Sequence, residues 1–176
     1  MARLLYVEAG ASRAADDLYA EIARMGRPVL NLYRVLANQP PALGAFLSMS
    51  RYVRSGSSLD PGLRELAILA TAYELRQDYE VVHHMEAGRR VGVSEAKLDA
   101  VAPGGSLDAL TPAERCGVEF ARQAAQTRSC DDAMFGRLSS LFSPEEIVDL
   151  VMTTAWYHLC AVILGSLRVE LESETR

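Results

Sequence analysis

The chain has 176 residues, 49% of them hydrophobic and 23% charged, with a formal net charge of −5 and a pI near 5.2. These values suit one globular domain able to bury a core without staples, and they exclude wholesale disorder. Arg89-Arg90 is the only tight basic pair, so there is no basic footprint for nucleic acid.

The opening stretch MARLLYVEAG has a short apolar run followed by Glu8, which does not make a secretory signal. Cys116, Cys130 and Cys160 are odd in number and widely spaced, with no Cys-x-x-Cys. That pattern suits reduced thiols, and a cytoplasmic protein is expected. Strand signals are nearly missing: no alternating β-branched run and no Asn-Gly or Asp-Gly turn occurs. Helix signals are abundant, and they predict helices over residues 12–25, 29–37, 41–54, 61–76, 78–91, 94–101, 112–127, 131–141 and 144–171. Asp60-Pro61, Thr111-Pro112 and Ser143-Pro144 each pair a capping side chain with proline at the first helical position. Glu114 and Glu146 complete capping boxes at the second and third of these.

The expected organisation is a single all-α domain, 1–176, with an N-terminal helical arm over 1–56, core helices over 57–102 and C-terminal helices over 107–172. The soft break at Pro103-Gly104-Gly105-Ser106 is read as a loop, because neither half covers its own apolar faces. The last helix is apolar nearly all round but contains Asp149, Thr153, Thr154 and His158, which argues for a buried helix and against a membrane span. Covering it on every side calls for association with further copies of the chain. Trp156, Tyr157 and Leu164 are expected as anchors there, with the N-terminal arm wrapped on a neighbour.

The stretch YEVVHH, residues 79–84, raises the functional question. Wound as a helix at about 100° per residue, 79–91 puts Tyr79, His83, Glu86, Arg89 and Arg90 on a wet arc. Glu80, Val81, Val82, His84, Met85, Ala87, Gly88 and Val91 share the apolar arc. Glu80 and His84, four apart, are placed to hydrogen-bond and to shift each other's proton affinity. On the preceding helix Glu65 shares an apolar stripe with Leu69, Ala72 and Tyr73, a costly position unless a partner meets it. Convergence of Glu65 on the Glu80–His84 pair is the economical solution, with Gln77 near the junction. Two readings stand at this stage: a proton-transfer site, and structural hydrogen bonding inside a non-catalytic helical oligomer. Metal binding is weaker, because His83 and His84 point to different arcs.

The segment RELAILATAYELRQDYEVVHHMEAGRRVGVSEAKLDAV, residues 64–101, resembles the carboxymuconolactone decarboxylase family. It has the Arg-Glu-Leu opening, the Tyr-Glu pair, a histidine four after the glutamate, and Gly-Val-Ser before a short helix. LTPAERCGVEFARQ, FSPEEIVDLV and YHL resemble the C-terminal half of longer members. The resemblance implies an alkylhydroperoxidase-D-like helical fold with a central helix hairpin and a long buried C-terminal helix. It also implies a homotrimer, or a hexamer built from trimers. The superfamily's peroxidases use a Cys-x-x-Cys pair, and in this chain those two positions are Gln77 and Glu80. A chain without that pair is not expected to act as a thiol peroxidase. What the resemblance then implies is a lyase acting without metal or organic cofactor, by decarboxylation or isomerisation of a small acidic or lactone substrate. His84, Glu80 and Glu65 would be its proton-transfer residues, and Arg64, Tyr73 and Gln77 its substrate contacts. A degenerate alkylhydroperoxidase-like protein without peroxidase activity is the remaining alternative.

Overall fold

A computed structural model describes residues 1–172. It holds nine α-helices and no strand among the described residues: α1 (Arg13–Arg24), α2 (Asn31–Leu36), α3 (Pro40–Arg51), α4 (Pro61–Glu74), α5 (Asp78–Arg90), α6 (Glu95–Val101), α7 (Pro112–Thr127), α8 (Asp132–Leu141) and α9 (Pro144–Leu167). The proline starts behave as their chemistry dictates. Asp60 accepts from the Leu63 amide, and Thr111 and Ser143 form complete capping boxes with Glu114 and Glu146.

The helix covered on all sides is α4, whose residues Leu63 to Ala72 are buried without interruption. It packs against α5, α7 and α9. On one side lies a cluster formed with α6, α7 and α8, including Leu66, Leu98, Val118, Phe120 and Leu138. On the other lies a cluster built by α1–α3, including Ile22, Tyr33, Leu43, Phe46, Ile68 and Trp156. Phe46 meets the Trp156 ring at 4.5 Å. The N-terminal helices therefore pack on their own chain.

Helix α9 is half covered. Trp156, Tyr157 and Leu164, expected as subunit anchors, are buried inside the chain, while Val148, Val151, Leu159 and Val162 stay 44–67% exposed along one side. Only α9 among the described residues is long and apolar enough to cross a membrane, and its buried polar residues tie it into the globular fold. It ends four residues short of the expected 171. Arg168 adopts a left-handed conformation and its amide and that of Val169 turn back onto the Gly165 and Leu164 carbonyls. The tail that follows is stitched to the N-terminal part, with Arg3 donating to the Leu167 carbonyl and Asn31 Nδ2 to the Glu170 carbonyl.

Where a helix through residue 54 was expected, α3 stops at Arg51 and a π-helical turn, Tyr52–Gly56, follows. Such turns are sustained by what holds their ends. Here the buried Asp149 does so. It accepts from the Tyr52 hydroxyl on one flank, and from the Ser58 amide and hydroxyl, at 2.6 and 2.7 Å, on the other.

Candidate functional site

The α4–α5 hairpin turns at Arg76, which takes the left-handed conformation, φ 53°. At the far end Gly88 leaves room for Leu98 of α6 to pack on α5. A Cβ built there would stand 2.9 Å from Leu98 Cδ2 and 3.9 Å from Glu65 Cβ. The hairpin packing of α4 on α5 brings the inward residues of both helices together. His84 Nδ1–H donates to Glu65 Oε2 at 2.5 Å. His84 Nε2 lies 3.3 Å from Glu80 Oε2, within ion-pair reach but without a formed hydrogen bond. The trio is dry: Glu65, Glu80 and His84 are 2%, 5% and 1% exposed. Tyr157 closes over the imidazole edge-on, ring centres 4.9 Å apart.

Burial pushes the His84 imidazolium down, yet the hydrogen bond to Glu65 and the facing Glu80 carboxylate outweigh it and hold the ring above its ordinary value. Burial likewise pushes Glu65 up, and the His84 contact, with help from Arg54 and Arg64, leaves it below its ordinary value. The arrangement is an imidazole sandwiched between two carboxyl groups.

Two spaces adjoin it. A small cavity of about 40 Å³ touches Glu80, His84, Tyr157 and Cys160, enough for a few water molecules. An open cleft of about 650 Å³ touches Glu65, Arg64, Arg54, Arg27 and His83. Leu30, Tyr33, Arg54 and His83 line both spaces and form the wall between them. Arg54 reaches in from the π-helical turn, its Nη2 3.5 Å from the Tyr157 hydroxyl.

Of the expected substrate contacts, Arg64 is at the site: it lines the cleft, with Nε 3.6 Å from Glu65 Oε1. Tyr73 and Gln77 line neither space. The Tyr73 hydroxyl turns to Met85 Sδ at 3.9 Å, and Gln77 Nε2 ties the start of α5 to α9 through the Ala161 carbonyl at 3.2 Å. The winding of α5 is corrected in part. Tyr79 is buried, while Val82 and Val91 are exposed. Tyr79 goes inward because its hydroxyl meets Glu172 at 2.7 Å and its ring stacks on His83. His83 is not simply wet: Nδ1 faces the Tyr79 carbonyl at 2.9 Å and Nε2 faces Glu172 at 3.0 Å.

Arg27, Arg54 and Tyr157 are the site residues that sequence reasoning missed as such. Cys160 lines the cavity, but burial and then the Glu80 carboxylate push its thiol well up, so it is no nucleophile. Among the described residues no group of three or more His, Cys, Asp and Glu side chains is set to hold a metal ion.

The sandwich makes stability depend on pH in a specific sense. His84 is raised from 6.5, so its contribution is complete below 6.5 and lost as pH climbs through the raised value. Glu65 is lowered from 4.5, so its contribution is complete above 4.5 and lost as pH falls through the depressed value. The shared window is pH 4.5 to 6.5. His84→Gln is expected to cost roughly 3–5 kcal/mol in urea unfolding at about pH 5.5, with the gap to wild type narrowing at about pH 9. An equal gap at both pH values would contradict an ionised pair.

Residues 40–123 match the Carboxymuconolactone decarboxylase family, extending the resemblance over 64–101 on both sides. No curated protein sequence matches the chain. Among solved structures, an alkylhydroperoxidase AhpD core described as an uncharacterized peroxidase-related protein from Ralstonia eutropha JMP134 is similar at 22% identity. It superposes with a TM-score of 0.84, over 98% of this chain and 93% of that one. An uncharacterized peroxidase-related protein from Silicibacter sp. TM1040 gives 18%, 0.82, 98% and 93%. The debrominase Bmp8, as a cysteine-to-alanine variant in complex with 2,3,4-tribromopyrrole, gives 14%, 0.84, 98% and 95%. At these identities the likeness is one of fold. Residues 40–123 thus match the carboxymuconolactone decarboxylase family model, on an all-α fold similar to that of the AhpD-like structures and in a sequence without a Cys-x-x-Cys pair.

Proposed function

We propose that the protein is a cofactor-free lyase that decarboxylates or isomerises a small acidic or lactone substrate by proton transfer. The observation that carries this reading is a buried imidazolium clamped between two carboxylates, its Nε2 without a hydrogen bond, beside a cavity and an open cleft. Structural pairing alone needs neither space. His84 is the proton store and Glu80 tunes it. Glu65, the member of the trio that lines the cleft, completes the relay to the substrate. In the decarboxylation the bond between the carbon skeleton and its carboxylate breaks and CO2 leaves. The electron pair passes into the conjugated lactone and returns to carbon as a C–H bond formed with the relayed proton. His84 then recovers its proton from solvent. A carboxylate stored ionised and an imidazole stored protonated are the states this sequence requires.

The test uses unsaturated lactones that carry a carboxylate, incubated with the protein in D2O. The expected product carries one carbon-bound deuterium in the conjugated system that took up the electron pair, and His84→Gln and Glu65→Gln each reduce the rate by about 10²–10⁴-fold. Turnover within a factor of about three of wild type in both variants would overturn the relay.

The same reading includes self-association, as a trimer or a hexamer of trimers. Its support is the exposed stripe Val148, Val151, Leu159 and Val162 on α9, an apolar face of the sort monomers seldom leave wet. Light scattering should return a mass several times 19.2 kDa, falling toward the single-chain value in Leu159→Glu. A wild-type particle of 19.2 kDa would contradict it.

A further inference from the structure

The open cleft has a charge pattern that the proton relay does not use. Arg27, Arg54, Arg64 and Arg90 line it, against Glu65 and Glu86. Arg90 and Glu86 pair with each other at 3.3 Å on the exposed rim, and Glu65 is committed to His84. That leaves three guanidinium groups facing the interior of the cleft. Among the described residues Arg27 and Arg54 have no carboxylate within ion-pair distance. The buried Arg64 has only Glu65 at 3.6 Å, and its Nε is left without a hydrogen bond. An unpartnered buried guanidinium N–H is costly. Arg27 also feels its neighbour: burial, then the Arg54 charge, pulls it below its ordinary value. Like charges gathered in a protein of net charge −5 do not arise from composition, and an anion seated between them would satisfy all three at once.

We propose that this cleft is an oxyanion-recognition site in which Arg27 and Arg54 are the specificity-determining residues and Arg64 Nε a third donor. It takes small organic acids, one carboxylate on the Arg27–Arg54 pair and the carbon skeleton toward Glu65. The proposal rests on the proton-transfer reading for its purpose and names which part of the acidic substrate is gripped, and by what. Arg54 has a second consequence for this geometry. It lines both the cleft and the cavity beside His84, so a carboxylate held by Arg54 is held at the wall between substrate and proton store. The planar fork of Arg suits that bidentate grip better than a lysine would.

The experiment is calorimetric titration at low ionic strength with succinate and with its neutral isostere succinamide. Wild type is expected to bind succinate saturably, with a dissociation constant on the order of 1 mM, and to give no saturable heat with succinamide. Arg27→Gln and Arg54→Gln should each weaken succinate at least about tenfold, and Arg54→Lys should fall between Gln and wild type. Unchanged succinate affinity in the Arg27→Gln, Arg54→Gln double variant would overturn the proposal. So would equal binding of succinate and succinamide, or no saturable succinate binding by wild type up to about 50 mM. Where a Gln variant fails to fold, Arg54→Lys and the succinamide comparison on wild type decide the matter. Because binding is read without turnover, its loss would sink the anion site and leave the relay standing, whereas an inactive relay would leave binding intact.

Discussion

Glu65 on α4 and His84 on α5 meet at 2.5 Å in an interior where neither is more than 2% exposed. Two ions in such a place are tolerated only as a closed set, since removing either partner strands the other without water. Glu80 at 3.3 Å adds a second carboxylate, and the Arg54 guanidinium is near enough to influence both Glu65 and His84. The surrounding fold can be read as what is needed to keep those four side chains in register.

That register has three supports. Gly88 lets Leu98 of α6 pack against α5 beside Glu65. Asp149 pins both flanks of the π-helical turn that delivers Arg54. Tyr157, from a helix that packs along α4, closes over the imidazole. None of the three supplies a proton or a nucleophile. Each sets a distance, and distance decides whether a buried acid–base set relays protons or merely fills space.

Most helices were legible in the sequence because their starts are local chemistry: a capping side chain, a proline, a returning glutamate. Glu65, Glu80 and His84 were legible because a charged residue on an apolar arc needs a partner, and the hairpin puts the three within reach. Arg54 and Arg27 were not. They come from a π-helical turn and an inter-helix loop, where no periodicity tells which way a side chain faces. Tyr73 and Gln77 mislead for a related reason, since nearness in sequence to the trio says nothing of the side of the helix each uses. Tyr79 escapes the helical-wheel logic through Glu172, ninety-three positions away. The exposed stripe on α9 is the side for which association with further copies is expected. Its apolar composition does not separate core from contact surface, and α4 of the expected central hairpin takes the central place.

The account stands or falls on whether His84 holds a proton between its two carboxylates. Nitrogen-15 NMR of labelled histidine, with the His84 signal assigned by its loss in His84→Gln, reads this directly. The expected result is a ring with both nitrogens protonated at pH 6.5, a strongly downfield proton on Nδ1, and deprotonation only above the ordinary 6.5. A neutral ring at pH 6.5 with a bare Nε2 would contradict it.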